Sequence, residues 1–373
     1  MNKKNLNTIA SFILIFSLFM LTACEKDDPY GSFSDLNPDL WAPQNFEINE
    51  ISITVKQLKW TFGEYDIEGF KIDRKKGDEP WHVAYQTFSK ETRSWSDSEI
   101  IPGQSLTYTY RVYAYAGNFN SSWAESNFDA IFPPPENLDI IANSTTSITL
   151  SWDYNETGHD GFKIDRKENE GTWEEEFVTI NDGQSIFTDE AVDLESKIYT
   201  YRIYSYYQSF TSAKKEIVAT IEIGMSAFGG IVFYLDGNGG GLACAENDQS
   251  TGIEWGCYGH IINGTSTDIG TGAVNTAIIL SNCSDTETAP WICDELELNG
   301  YNDWFLPSKD ELNLMYINLR QGGYISFANE HYWSSTATNA CQAWLQYFGL
   351  GYQLEKYRYY TRHVRAARSF NIR

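Results

Sequence analysis

The chain has 373 residues, with 51 acidic against 27 basic side chains and a formal charge of −24. This length suits two or three domains, each able to bury its own core. The acidic excess excludes a broad nucleic-acid footprint, which needs a basic face. Aromatic residues make up 15% of the chain and only 4 residues are Met, a balance that leans toward β-structure.

Lys3 and Lys4 precede an apolar run of 13 residues, 9–21, too short for an ordinary membrane span. Leu21-Thr22-Ala23-Cys24 then matches the bacterial lipobox. A thiol accepts the diacylglyceryl group, and small residues before it let the peptidase reach the backbone. Residues 1–23 therefore read as a lipoprotein signal peptide and Cys24 as the lipidated residue; the competing reading is an ordinary signal peptide with an incidental cysteine. Residues 24–41 read as a tether. Within it, Lys26-Asp27-Asp28 resembles the export signal that some Gram-negative lineages use to send lipoproteins to the cell surface. The expected location is the outer membrane, through a lipid anchor at Cys24, with the rest of the chain exposed at the cell surface.

An internal repeat organises the middle of the chain. Glu68-Gly69-Phe70-Lys71-Ile72-Asp73-Arg74-Lys75 returns 92 residues later as Asp160-Gly161-Phe162-Lys163-Ile164-Asp165-Arg166-Lys167, and Trp60 returns as Trp152. Tyr108-Thr109-Tyr110-Arg111 returns as Tyr199-Thr200-Tyr201-Arg202. Apolar and polar residues alternate through 147–152 and through 162–167, as in half-buried strands. About seven short strands per copy is the signature of a small β-sandwich. The early Trp and the Tyr-x-Tyr-Arg strand resemble fibronectin type III domains, which implies two such domains at 42–132 and 133–223, acting as spacers or interaction modules. Pro133-Pro134-Pro135 reads as a stiff junction between them.

Composition shifts at Gly224: 18 of the 28 glycines and five of the six cysteines follow. Residues 224–373 form a third domain. Gly229 to Asp236 reads as a glycine turn feeding a strand, and Asp236-Gly237-Asn238-Gly239 as a hairpin turn. A helix is expected at 272–282 with Val274, Ala277, Ile278 and Ser281 on one face. A second opens at the capping box Ser308-Lys309-Asp310-Glu311 and buries Leu312, Met315, Tyr316 and Leu319. Strands are expected at 332–337, 343–348 and 364–370, which gives an α+β pattern.

Several stretches in order carry a second resemblance: Asp248-Gln249-Ser250-Thr251-Gly252-Ile253-Glu254-Trp255-Gly256-Cys257, Ile269-Gly270-Thr271-Gly272, Gly300-Tyr301-Asn302-Asp303-Trp304-Phe305-Leu306-Pro307-Ser308, Tyr332-Trp333-Ser334-Ser335 and Val364-Arg365-Ala366-Ala367-Arg368. They resemble the C-terminal domain of the Legionella collagen-like adhesin (Lcl). The resemblance implies a C-type-lectin-like fold and binding of sulfated glycosaminoglycans. It implies scaffold roles for Trp304, Leu306, Pro307, Trp333 and Trp344 but fixes no ligand residues. The Trp-Asn-Asp calcium element of true C-type lectins is not evident, since Asn302-Asp303-Trp304 has those residues in another order.

An exported chain meets an oxidising compartment, so disulfides are expected. Cys283 and Cys293 flank a short loop, with Cys257 as a competitor, and Cys244 and Cys341 form a second candidate pair. Five cysteines leave one thiol over, which allows pairing between copies in a homo-oligomer. The charge is uneven. Residues 24–223 carry 17 basic and 36 acidic side chains; residues 224–373 carry 8 and 15. Lys356, Arg358, Arg362, Arg365, Arg368 and Arg373 all fall in the last 18 residues, interleaved with Tyr357, Tyr359 and Tyr360. Arginine forks suit sulfate and carboxylate, and tyrosine faces suit sugar rings. Arg358, Arg362, Tyr357, Tyr359 and Tyr360 are thus the candidate ligand site, against the plainer reading of a solvated edge strand whose arginines pair with the domain's own acids. No acid/base pair or metal cluster has convincing spacing, so neither catalysis nor a cofactor or metal is expected. The overall expectation is an adhesion lipoprotein with a lectin-like head that binds an extracellular glycan, with a non-enzymatic structural or protein-interaction lipoprotein as the alternative.

Overall fold

A computed structural model describes residues 36–103 and 106–372. The lipobox with Cys24, the Lys26-Asp27-Asp28 motif and Arg373 lie outside the described residues. The described residues form two units, the first ending at Ala130 and the second beginning at Ile131.

The first unit is a sandwich of two antiparallel sheets. Gln44–Ser52, Val55–Thr61 and Ser94–Asp97 form one sheet; His82–Ser89, Gly69–Lys76, Leu106–Ala116 and Ala124–Ala130 form the other. Strand alternation does the sorting. Phe70, Ile72 and Arg74 face inward with Trp60, Tyr108, Tyr110 and Val112, and all six hydrophobic side chains are buried. Arg74 reaches Asp97 at 2.7 Å, and Tyr110 donates to the same carboxylate at 2.7 Å. Asp73, on the opposite face, accepts from the Ala84 N–H and from Tyr113. The repeated Ile-Asp-Arg thus sends one charge to each side of its strand, and each charge finds a fixed partner.

The second sandwich repeats this plan. Glu136–Ser144, Ser147–Asp153 and Ile186–Asp189 oppose Glu174–Asn181, Gly161–Glu168, Tyr199–Tyr207 and Lys215–Ala219. Arg166 and Tyr201 both bind Asp189, at 3.0 and 2.7 Å. Asp165 is fully buried and accepts from Arg202, Lys214, Tyr204 and the Glu176 N–H. Burial alone would push its carboxyl up, but the hydrogen bonds from Lys214, Glu176, Arg202 and Tyr204 outweigh it and hold the group below its ordinary 3.8. Its stabilisation is therefore present above that value and is lost as pH falls through the lowered one. Asp165→Asn leaves Arg202 and Lys214 without their shared anion and should cost about 3 kcal/mol, read as a lower urea midpoint at unchanged slope.

The third region holds two sheets and three helices: α1 (Gly272–Asn282), α2 (Ala289–Asp294) and α3 (Lys309–Leu314), the last continuing as a π-type segment to Gln321. The first helix has the expected bounds but not the expected face. Val274 is 60% exposed, while Gly272, Asn275, Thr276 and Ile279 are buried. Polar side chains win the inside because they satisfy loop backbone: Asn275 bonds both the N–H and the carbonyl of Ser266, and Thr276 accepts from Leu306. The short α2, opened by Thr288 and Pro290, escaped the pattern reading, since six residues show little periodicity. The last expected strand, 364–370, is two strands. Arg362–Val364 joins a five-stranded sheet with Ser250–Ile253, His331–Ala337, Gln342–Tyr347 and Gln353–Tyr357, and Ala367–Asn371 joins a four-stranded sheet.

That four-stranded sheet (Ser226–Ala227, Gly230–Leu235, Gly240–Cys244 and Ala367–Asn371) is covered on both faces. Ile231, Phe233, Leu242 and Cys244 pack with Leu312, Met315 and Tyr332 in the head. Val232, Ala243, Phe228 and Phe370 instead join the core of the second sandwich with Leu194, Tyr199 and Ile221. The boundary expected at 223/224 is therefore a change of composition without a gap in packing.

Candidate functional site

Strand Gln353–Tyr357 ends in a turn closed by the Tyr360 N–H on the Tyr357 carbonyl, 3.1 Å. Arg358 turns inward at this bend while Tyr357, Tyr359 and Tyr360 turn out, 42%, 43% and 39% exposed. Tyr357 and Tyr359 stack at 5.5 Å with rings 7° from parallel, and Tyr360 lies 4.8 Å from Tyr359. A fourth ring completes the group. Tyr258 is 50% exposed and meets Tyr359 edge-on at 5.1 Å. It is about a hundred positions away in sequence, which is why the sequence reading missed it. Its turn is held by the Cys257–Cys283 disulfide, by Asp285 accepting from the Cys257 N–H, and by the Gly259 N–H on Ala340. A hydrogen bond with Cys341 pushes the Tyr258 hydroxyl above its ordinary pKa. Four exposed rings on a fixed frame form a tyrosine platform.

The arginines divide. Arg358 is fully buried and cannot touch a ligand, which corrects its assignment to the site. Its guanidinium donates to the carbonyls of Gln342, Cys257, His260 and Asn339 and stacks 4.3 Å from Trp255. Burial pushes its pKa down to about 10. It ties the Tyr258 turn to the strand end beneath the platform. Arg365 pairs with Asp248, and Arg368 makes a bidentate pair with Asp303 at 2.8 and 3.0 Å. Arg365 and Arg368 follow the plainer expectation that the arginines pair with the domain's own acids, whereas Arg358 is held by carbonyls. Arg362 alone of the four is only half-buried: its Nη1 donates to the Thr361 carbonyl, its Nε is buried, and its guanidinium lies 5.2 Å from the Tyr360 ring with no carboxylate partner among the described residues.

The disulfide expectations need correction. Cys283 pairs with Cys257, not with Cys293, and Cys244 and Cys341 do not pair with each other. Cys293 is buried from α2 in the core that also holds Trp255 and Trp304, and Cys244 is buried in the other core of the head. Burial pushes the Cys244 thiol up to about 12 and raises Cys293 as well. Cys341 sits half-buried at the platform. Cys257, Cys283 and Asp285 are drawn within ligand distance of one another, but the disulfide occupies both sulfurs. The Asp236–Gly240 turn spends its carboxylate internally, on the N–H groups of Asn238 and Gly240. Beside the platform, an open cleft of about 590 Å³ is lined by Glu254, Asp285, Glu287 and Thr361.

Fold and site together define a multidomain, β-rich protein with two tandem sandwiches and a helix-containing head that carries an aromatic surface. No protein-family model matches the chain, and no curated protein matches it. Among solved structures it is similar to a two-domain fibronectin type III segment of chicken tenascin, over 48% of this chain and 99% of that one, at 15% identity and a TM-score of 0.29. It is also similar to the chicken CNTN1 FN1-FN3 domains, over 48% of this chain and 67% of that one, at 15% identity and a TM-score of 0.22.

Proposed function

We propose that the chain is an adhesion lipoprotein, anchored through Cys24 and exposed at the cell surface, whose C-type-lectin-like head binds an extracellular glycan on the tyrosine platform. The observation that carries this reading is the cluster of Tyr258, Tyr357, Tyr359 and Tyr360, four rings exposed together at 39–50%. Large rings left in water on a rigid frame suit the apolar faces of pyranose rings, whereas an isolated exposed ring means little. The frame is firm: Arg358 and the Cys257–Cys283 disulfide fix both backbone segments that present the rings. Non-enzymatic binding follows from such a surface; it needs no cofactor.

Binding of the whole chain to a glycan array tests the reading. Tyr359 meets each of the other three rings, so Tyr359→Ala should weaken binding by about fivefold, from roughly 1 kcal/mol for the lost ring face. An array blank at low salt, or binding indifferent to this substitution, would sink the platform. A protein-binding role for the sandwiches is favoured by a separate feature: Arg111 lies between Trp81 and Trp123, at 3.8 and 4.6 Å, and Trp123 is 56% exposed.

A further inference from the structure

The disulfide that holds the Tyr258 turn closes over a set of metal-ligating atoms. The Sγ atoms of Cys257 and Cys283 and a carboxylate oxygen of Asp285 all lie within 4.8 Å of one another. A tetrahedral ion with bonds of about 2.0–2.3 Å holds its ligands roughly 3.3–3.8 Å apart, so small side-chain rotations would seat one here. The backbone is already placed: the two cysteine Cα atoms are 5.8 Å apart, and Asp285 Oδ2 accepts from the Cys257 N–H at 2.7 Å. Asp285 Oδ1 has no hydrogen-bond partner among the described residues and is free to ligate. An ion can reach the group from water. Gly256 and Ser284, chain neighbours of the two cysteines, line the open cleft of about 590 Å³ together with Asp285, Glu254 and Glu287. The three acids make its mouth negative toward an incoming cation.

We infer that reduction of the Cys257–Cys283 bond opens a zinc site, in which the two thiolates and the Asp285 carboxylate hold Zn²⁺ and water takes the fourth position. Zinc binding here is separate from glycan binding and does not depend on it. Two thiolates with one carboxylate suit a borderline-soft tetrahedral ion, whereas Ca²⁺ and Mg²⁺ prefer all-oxygen shells. The electrons come from a small-molecule thiol. Two such thiols supply two electrons and two protons, the S–S bond breaks, and the reductant leaves as its own disulfide. Zn²⁺ then displaces both cysteine protons to solvent, because the thiolate is the ligand. In the reverse direction a small-molecule disulfide takes the two electrons, the Cys257–Cys283 bond forms again and the ion is released. The ion replaces the lost covalent tie, so the Tyr258 turn keeps its frame in both states.

The test titrates Zn²⁺ into the full chain against a chromophoric chelator. One sample is oxidised; the other is reduced with a small-molecule thiol and desalted without air. The reduced chain is expected to bind one Zn²⁺ about 100-fold tighter than the oxidised chain, from two added thiolate ligands. At saturating Zn²⁺ its melting temperature should rise by about 5 °C, and Ca²⁺ should produce neither effect. Asp285→Asn keeps an acceptor for the Cys257 N–H but loses the charge, and should weaken Zn²⁺ by about tenfold. Cys283→Ser should abolish the redox dependence, and Cys341→Ser should leave it intact. Near-UV circular dichroism checks that each reduced chain is folded. Equal Zn²⁺ affinity in the two redox states overturns the site, as does tight binding that Asp285→Asn leaves unchanged or that Cys341→Ser removes. A reduced chain that stays unfolded in excess Zn²⁺ overturns it as well.

Discussion

Replacing Phe228 or Phe370 by alanine should destabilise the second sandwich and the head together, by about 3 kcal/mol for either change. The two rings stack at 3.9 Å, 8° from parallel, and are 6% and 9% exposed. They sit where the head's four-stranded sheet enters the core of the sandwich, among Leu194, Tyr199 and Ile221. The contact is also polar: Glu195, from the sandwich, accepts from the Phe228 N–H at 2.6 Å. Alanine leaves a cavity that neither layer can refill, because the other face of the sheet is already packed by Phe233 and Leu242. Hydrogen exchange checks this directly. Protection should fall together in Tyr199–Tyr207 and Gly240–Cys244, while Leu106–Ala116 of the first unit keeps its own. Loss confined to the head would show that the two layers unfold separately. By the same reasoning, a fragment beginning at residue 224 exposes one whole face of that sheet, so binding measurements belong on the longer chain.

Glu311→Ala is expected to be the most damaging single change in the head, at about 3 kcal/mol or more, since each buried donor left unpaired costs ~1–3 kcal/mol. The Glu311 side chain is fully buried and accepts from the N–H groups of Ser308, Gly270 and Gly272, at 2.7, 2.8 and 3.2 Å. It therefore closes the capping box of α3 and holds the loop that opens α1. No other residue fits Gly272, because a Cβ there would lie 2.3 Å from Glu311 Oε2. Glu311→Gln keeps the shape and one acceptor and should cost about 1–2 kcal/mol. The pH dependence separates the charge from the shape. Burial raises the carboxyl above 4.5 despite the backbone donors from Ser308, Gly272, Gly270 and Thr271. The folded head therefore disfavours the ionised form and gains stability as pH falls from neutral through the raised value, opposite in sign to Asp165. Unfolding midpoints of the wild type should show that gain and those of Glu311→Gln should not.

The repeat was legible because each of its residues acts locally. Phe70, Ile72, Phe162 and Ile164 alternate toward a core, and the buried Trp60 and Trp152 mark the same point in each sandwich. The capping box was legible for the same reason: Ser308 and Glu311 are three positions apart, and their hydrogen bonds close within that turn. The face of α1 was not, because its buried side chains answer to Ser266 and Leu306, which pattern cannot place beside Asn275 and Thr276. The disulfide failed as a reading for a related reason. Cys293 is nearer to Cys283 in sequence, but it points into the apolar core while Cys257 is brought alongside.

The basic, tyrosine-rich strip shows both sides most clearly. Sequence by itself determined its composition and the interleaving of tyrosines with arginines; the outward turn of Tyr357, Tyr359 and Tyr360 came with the structure. Tertiary structure decided what each charge is for. Asp248 and Asp303 claim Arg365 and Arg368, the carbonyls of Cys257 and His260 claim Arg358, and Arg362 has no carboxylate partner among the described residues. An arginine's role depends on which acid or carbonyl the fold brings within about 3 Å, and a linear sequence records no such distance.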